Sequence, residues 1–168
     1  ELSEERELIR IANLAGDRVL EYFRRLRDSD RSIKGGNARD LVTVADKASE
    51  EVILAEVSKS FPGVSVLSEE AGQIGKGSDK LVVDPLDGTT NFSQGLQHFG
   101  VSIALLRGGE TRVGVVGTPA LKEVFSATKG AGARLNGSPI RVSVRSKPEE
   151  LFVAVGFACI RAGYKKKN

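Results

Sequence analysis

The segment Val82-Val83-Asp84-Pro85-Leu86-Asp87-Gly88-Thr89-Thr90-Asn91-Phe92 constrains this chain more than any other. An apolar run over residues 80–83 can bury itself in a sheet, and two carboxylates follow where the strand ends and the chain turns. Pro85 fixes its own φ and has no N–H to donate, which stiffens the turn between Asp84 and Asp87 and favours one separation of their oxygens. Two carboxylates with the Leu86 carbonyl between them are the oxygen ligands Mg²⁺ accepts, and such an ion keeps room for water and a phosphate. Gly88 lets the backbone approach that phosphate closely. If Thr89, Thr90 and Asn91 open a helix, their N–H groups point at the anion and the helix dipole assists. The ordinary alternative is an Asp-rich surface turn; the apolar strand before it and the Thr-Thr after it favour a metal-and-phosphate site.

Upstream, Leu8, Ile11, Ala12, Ala15, Val19, Leu20 and Phe23 recur at helical spacing, with Glu4, Glu5 and Glu7 early and Arg24, Arg25 and Arg27 late. This pattern predicts an amphipathic helix whose charges match its dipole, with Ser3 available as a cap. Gly35-Gly36-Asn37 breaks the chain, and a second helix is expected from residue 43 or 44 to residue 60, stopped by Phe61-Pro62-Gly63. Residues 64–67 read as a short strand, 72–79 as a mobile loop and 80–83 as the next strand. Later strands are expected to pair antiparallel: 101–106 and 112–116 flank the hairpin connection Arg107-Gly108-Gly109-Glu110, and 124–127 follows Pro119. Two helices would then cover one sheet face, with no internal repeat in the chain.

With 168 residues, 40% hydrophobic and 28% charged, the chain can bury one sizeable core. The net charge of +3 comes from basic residues scattered among acidic ones, which predicts solubility and argues against nucleic-acid binding. The tail Tyr164-Lys165-Lys166-Lys167-Asn168 is too short a basic run to reverse that. A lone Cys159 excludes an internal disulfide, and without a signal peptide or a long apolar span a cytoplasmic home and no membrane association are expected. The absence of Met, even at the start, suggests a processed, trimmed or incompletely represented chain.

Together with three more segments in order, the Asp84 motif resembles the inositol monophosphatase family, the Mg²⁺-dependent, Li⁺-sensitive phosphomonoesterases. Those segments are Asp40-Leu41-Val42-Thr43-Val44-Ala45-Asp46, Ser68-Glu69-Glu70, and Lys129-Gly130-Ala131-Gly132-Ala133-Arg134-Leu135-Asn136-Gly137. The resemblance implies an α+β fold, layered helices packed on a mainly antiparallel sheet, with residues 1–150 an N-terminal metal-binding domain and 151–168 the start of a second domain that is otherwise missing. It also implies two or three Mg²⁺ ions, a small phosphorylated substrate and a homodimer.

Residue by residue, the resemblance makes Glu69 the carboxylate that joins Asp84, Leu86 and Asp87 at the metals, with Glu70 in support. Read alone, Glu69 and Glu70 are first of all solvated acids at a loop start, and it is the resemblance that makes them ligands. It pairs Asp46 with Thr89, so that a hydroxyl and a carboxylate orient the attacking water and take its proton; read alone, Asp46 is a first-turn helix acid. Phosphoryl oxygens would meet Gly88, Thr89 and Thr90. Asp40 is a turn residue, a cap or a supporting acid, and Lys34 either orients waters around the ions or is simply solvated. His98, the only histidine, is not read as a general acid. The family usually has Gly where this chain has Ser68, and Ser93-Gln94 replaces a more usual Val-His.

The implied activity is Mg²⁺-dependent hydrolysis of a small phosphate monoester, inositol monophosphate and, as in some relatives, fructose 1,6-bisphosphate. A further family ligand, an Asp in a Trp-Asp motif well downstream, has no counterpart in a chain without Trp. Two alternatives therefore stand beside the first reading: a non-catalytic metal- or phosphate-binding fragment, and a nucleoside 3′,5′-bisphosphate phosphatase, which the residues after Thr89 fit less well.

Overall fold

The computed structural model describes residues 2–29 and 38–153. Helix α1 (Leu2–Ser29) and helix α2 (Ala38–Ser60) pack on each other and on one face of an eight-stranded sheet. The strands are β1 (Ser65–Ser68), β2 (Gly72–Ile74), β3 (Lys80–Asp87), β4 (Gly100–Arg107), β5 (Glu110–Thr118), β6 (Glu123–Thr128), β7 (Gly132–Leu135) and β8 (Ser138–Ile140), and a short helix α3 (Thr89–Ser93) follows β3. Their order across the sheet is β2-β1-β3-β4-β5-β6-β7-β8, and only the β1–β3 pair is parallel. The expected helices on a mainly antiparallel sheet are therefore present.

Strand alternation sends Leu81, Val83, Val101, Ile103, Leu105, Val113 and Val115 to the helix side, where Leu8, Ile11, Ala15 and Val19 of α1 and Ile53 and Val57 of α2 meet them, all buried. Burying each Val, Leu or Ile side chain among these stabilises the fold by about 1.5–3 kcal/mol. The other face carries a cross-strand row, Leu67, Val82, Ala104, Gly114, Ala127, Ala133 and Ile140, each opposite the next. It contains no charge. α1 is also tied down by polar contacts: buried Glu5 accepts from the hydroxyls of Ser126 (2.7 Å) and Thr128 (3.0 Å), and Arg107 joins Glu4 to Asp79.

Several boundaries differ from expectation. α2 begins at Ala38, five or six residues ahead of the expected start, and takes the β-branched run Val42-Thr43-Val44 into the helix. Asp46 thus lies in the third turn, too deep for the helix dipole to explain it. Ser3 sits inside the first turn of α1 and is not its cap. The loop expected over 72–79 contains β2, a three-residue edge strand held to β1 by backbone pairing and too short to show alternation. β7 and β8 were also not anticipated; they join through Asn136-Gly137 with φ of 49° and 81°, the left-handed pair that a tight hairpin requires. Gly108 and Gly109 (57° and 82°) do the same in the expected β4–β5 hairpin.

The expected domain boundary near residue 150 falls at a 3-10 turn, Pro148–Glu150. Gly35-Gly36-Asn37, Lys34 and residues 154–168 lie outside the described residues. Among the described residues no helix is long and apolar enough to cross a membrane.

Candidate active site

β3 does not stop at Val83 but runs on to Asp87 through a bulge. Asp84 faces Ser102 and Asp87 faces Gly100, three steps along β3 against two along β4. On a regular strand, residues three apart point to opposite faces. The extra residue cancels that alternation: Pro85 and Leu86 are buried in succession, and Asp84 and Asp87 return to one side. Pro85 is compatible with this place because a bulge leaves a residue outside the ladder. The Leu86 N–H donates to Asp84 Oδ1 (3.1 Å), and buried Ser49 of α2 donates its hydroxyl to the Pro85 carbonyl (2.8 Å).

The parallel pairing of β1 with β3 brings the end of β1 alongside. Ser68 lies opposite Val83, and the Glu69 N–H continues the ladder by donating to the Val83 carbonyl at 3.1 Å. Glu69 and Asp84 consequently reach each other side chain to side chain. Burial, then the charges of Glu69 and Asp87, push the Asp84 carboxyl up to about 6. Asp46, 8% exposed on α2, is pushed up to about 7 by burial first and then by Glu70, Asp84, Glu50 and Glu69. Its Oδ1 is buried without a hydrogen-bond partner among the described residues.

Gly88 closes the motif with φ of 81°, a left-handed conformation that disfavours any side chain. A Cβ there would also lie 2.8 Å from the His98 carbonyl oxygen and 3.3 Å from Phe99 Cα. α3 then starts at Thr89, as expected, and is anchored by fully buried Phe92, whose ring meets Phe23 of α1 at 5.5 Å and Phe99 at 5.1 Å between centroids. Thr89 and Thr90 sit exposed in its first turn. His98 is exposed, and its carbonyl accepts from the Asn91 side chain (2.7 Å).

Asp46, Glu69, Glu70, Asp84 and Asp87 thus share one electrostatic neighbourhood beside the Gly88 turn, supplied by α2, the β1–β2 turn and β3. Asp40 lies in the first turn of α2, and Lys34 is outside the described residues. Among the described residues, no three His, Cys, Asp or Glu side chains already stand close enough to enclose an ion. The donors nonetheless fit a hard divalent cation in kind: all are oxygens, Asp46 and Asp84 feel the charges of neighbouring carboxylates, and Asp46 Oδ1 is buried with no hydrogen-bond partner among the described residues. Sequence reasoning missed Ser49 and Glu50, which follow Asp46 by three and four residues and so share its helix face.

The raised carboxyls fix a sign for stability against pH. A carboxyl whose folded pKa exceeds its unfolded value near 4 stabilises the fold below that value, and the contribution is lost as pH rises through the folded pKa. With Asp84 at about 6 and Asp46 at about 7, the metal-free chain should melt at a lower temperature at pH 8 than at pH 5. Calorimetric melts in a chelator across that range check this. Added Mg²⁺ should narrow the gap from the alkaline side.

Helices layered on a mixed sheet, with carboxylates gathered at strand ends beside a glycine turn, define a phosphatase-type α+β fold. The chain belongs to the inositol monophosphatase family, whose model matches residues 2–166. It is 43% identical over 151 residues to Nus factor SuhB of Pasteurella multocida and 41% identical over 152 residues to Nus factor SuhB of Escherichia coli K12, in each case over 89% of this chain and 56% of the relative. Among solved structures, the inositol monophosphatase of Anabaena (Nostoc) sp. PCC 7120 superimposes with a TM-score of 0.74 at 35% identity, over 87% of this chain and 52% of that one. The extragenic suppressor protein suhB of Bartonella henselae gives 0.73 at 34%, over 85% and 55%. The chain spans little more than half the length of these relatives.

Proposed function

We propose that this protein takes part in Mg²⁺-dependent hydrolysis of small phosphate monoesters, with inositol monophosphate, and after it fructose 1,6-bisphosphate, as substrate. The observation that carries this reading is the set of carboxylates on α2, the β1–β2 turn and β3 whose burial and neighbouring charges push Asp46 and Asp84 upward beside the Gly88 turn. Glu69, Asp84, the Leu86 carbonyl and Asp87 would hold two or three ions. Bound Mg²⁺ supplies Lewis acidity, making water a nucleophile at neutral pH and steadying the leaving oxygen. Asp46, paired with Thr89, orients the attacking water and accepts its proton. The N–H groups of Gly88, Thr89 and Thr90 receive the phosphoryl oxygens as charge builds on them. Glu70, Asp40 and Lys34 support this set from outside it. A cytoplasmic homodimer inhibited by Li⁺ completes the reading.

The test is phosphate release with and without Mg²⁺, challenged with Li⁺, on inositol 1-phosphate, fructose 1,6-bisphosphate and adenosine 3′,5′-bisphosphate. Turnover that needs Mg²⁺ and falls with Li⁺ is expected, with inositol 1-phosphate preferred. Release indifferent to Mg²⁺ would overturn the reading. A second reading is favoured by the relatives' name, Nus factor: a metal-binding module that assembles with other macromolecules. Mg²⁺ binding without turnover on any of the three substrates would select it.

A further inference from the structure

We propose that Ser68 and Glu50 form a latch that sets the position of Glu69, making both of them positioning residues for cation binding. This rests on the site reading above. Glu69 begins the turn after β1, and an acid on a short exposed turn beside like charges would swing away from Asp84 unless the backbone held it. Three contacts hold it. The Glu69 N–H is fixed to the Val83 carbonyl; the buried Ser68 hydroxyl, one residue earlier, donates to Glu50 Oε1; and the Ala71 N–H, two residues later, donates to that same oxygen at 3.1 Å.

One oxygen on α2 therefore brackets Glu69 and Glu70 from both sides. Its neighbour Ser49 performs the matching task on β3 through the Pro85 carbonyl (2.8 Å), between Asp84 and Asp87. Two consecutive residues of a packed helix thus grip both acidic segments and fix their relative position. A ligand set held against its own repulsion before the ion arrives loses less freedom on binding, and removal of such outer supports typically weakens metal affinity about 10–100-fold. Ser68, where a glycine would offer no hydroxyl, is what lets this chain make the bracket.

The test is Mg²⁺ titration of the full chain by calorimetry, with the Mg²⁺-induced rise in melting temperature as a second readout. Ser68→Ala and Glu50→Ala are each expected to raise the Mg²⁺ dissociation constant about 10-fold or more, and the double variant should be no weaker than Glu50→Ala alone, since each breaks the same latch. Glu51→Ala removes the same charge one residue away without touching the bracket and should stay within about 2-fold. Should Ser68→Ala fail to fold, Ser68→Cys keeps its volume, weakens the donor and reads the same quantity. Wild-type affinity in a folded Ser68 variant would overturn the latch while leaving the site reading intact. Failure of the unaltered chain to bind Mg²⁺ would overturn both.

Discussion

Asp84→Asn is expected to lower Mg²⁺-dependent phosphate release by about 10³-fold or more, on the order of 4 kcal/mol in the barrier, while raising the melting temperature of the metal-free chain. The two effects have opposite signs for one reason. Asp84 is half-buried, lies against Glu69 and feels the charge of Asp87, so its carboxylate is held in repulsion. An amide of the same shape relieves that repulsion, and the Asn side-chain oxygen can still accept from the Leu86 N–H as Asp84 Oδ1 does. The carboxylate is placed to meet an ion, and without it the fold relaxes but the ion is lost. Phosphate release at saturating Mg²⁺ and calorimetry in chelator measure the pair. Activity above a tenth of wild type would remove Asp84 from the metal site.

Gly88→Ala should destabilise the fold by about 2–4 kcal/mol, a fall of roughly 5–15 °C in melting temperature for a chain of this size. Two independent costs add at this position. The φ of 81° opposes any Cβ, and the new methyl would sit 2.8 Å from the His98 carbonyl oxygen, a backbone atom next to the core ring of Phe99. Gly95, also at positive φ (71°) but with open space around it, is the control: Gly95→Ala carries only the conformational cost. Urea or thermal melts of the two variants separate strain from collision, and equal losses would show that the contact at Gly88 carries no weight.

What the sequence made legible was periodic or punctuated. The apolar stripe of α1, the glycine pair between β4 and β5 and the Gly88–Thr90 turn into α3 each state their local geometry in neighbouring residues. Less was legible where partners lie far apart. β2 is a strand only because β1 offers an edge, and α2 starts at Ala38, ahead of the β-branched run Val42, Thr43 and Val44. The bulge at Pro85 belongs to the same class. The spacing of Asp84 and Asp87 suggested a turn between them, whereas pairing with β4 keeps them on the strand and aligns them by one inserted residue. Ser49 and Glu50 carry no motif, and their work shows only once the Pro85 carbonyl and the Ser68 turn are in place.

The tethering of α1 has a consequence for the making of the protein. Glu5 finds its partner Ser126 across a sequence separation of 121 residues, and Glu4 finds Arg107 across 103. At about 5–20 residues per second, a ribosome takes roughly 6–24 s to cover the longer gap. For that interval α1 is out ahead of the strands that will cover Leu8, Ile11, Ala15 and Val19, a nascent helix with its greasy side bare. β3 to β8, each paired to the next in line, can zip up soon after they are made. α1 is thus made well before the strands that bury it, and it is a segment a chaperone would find waiting.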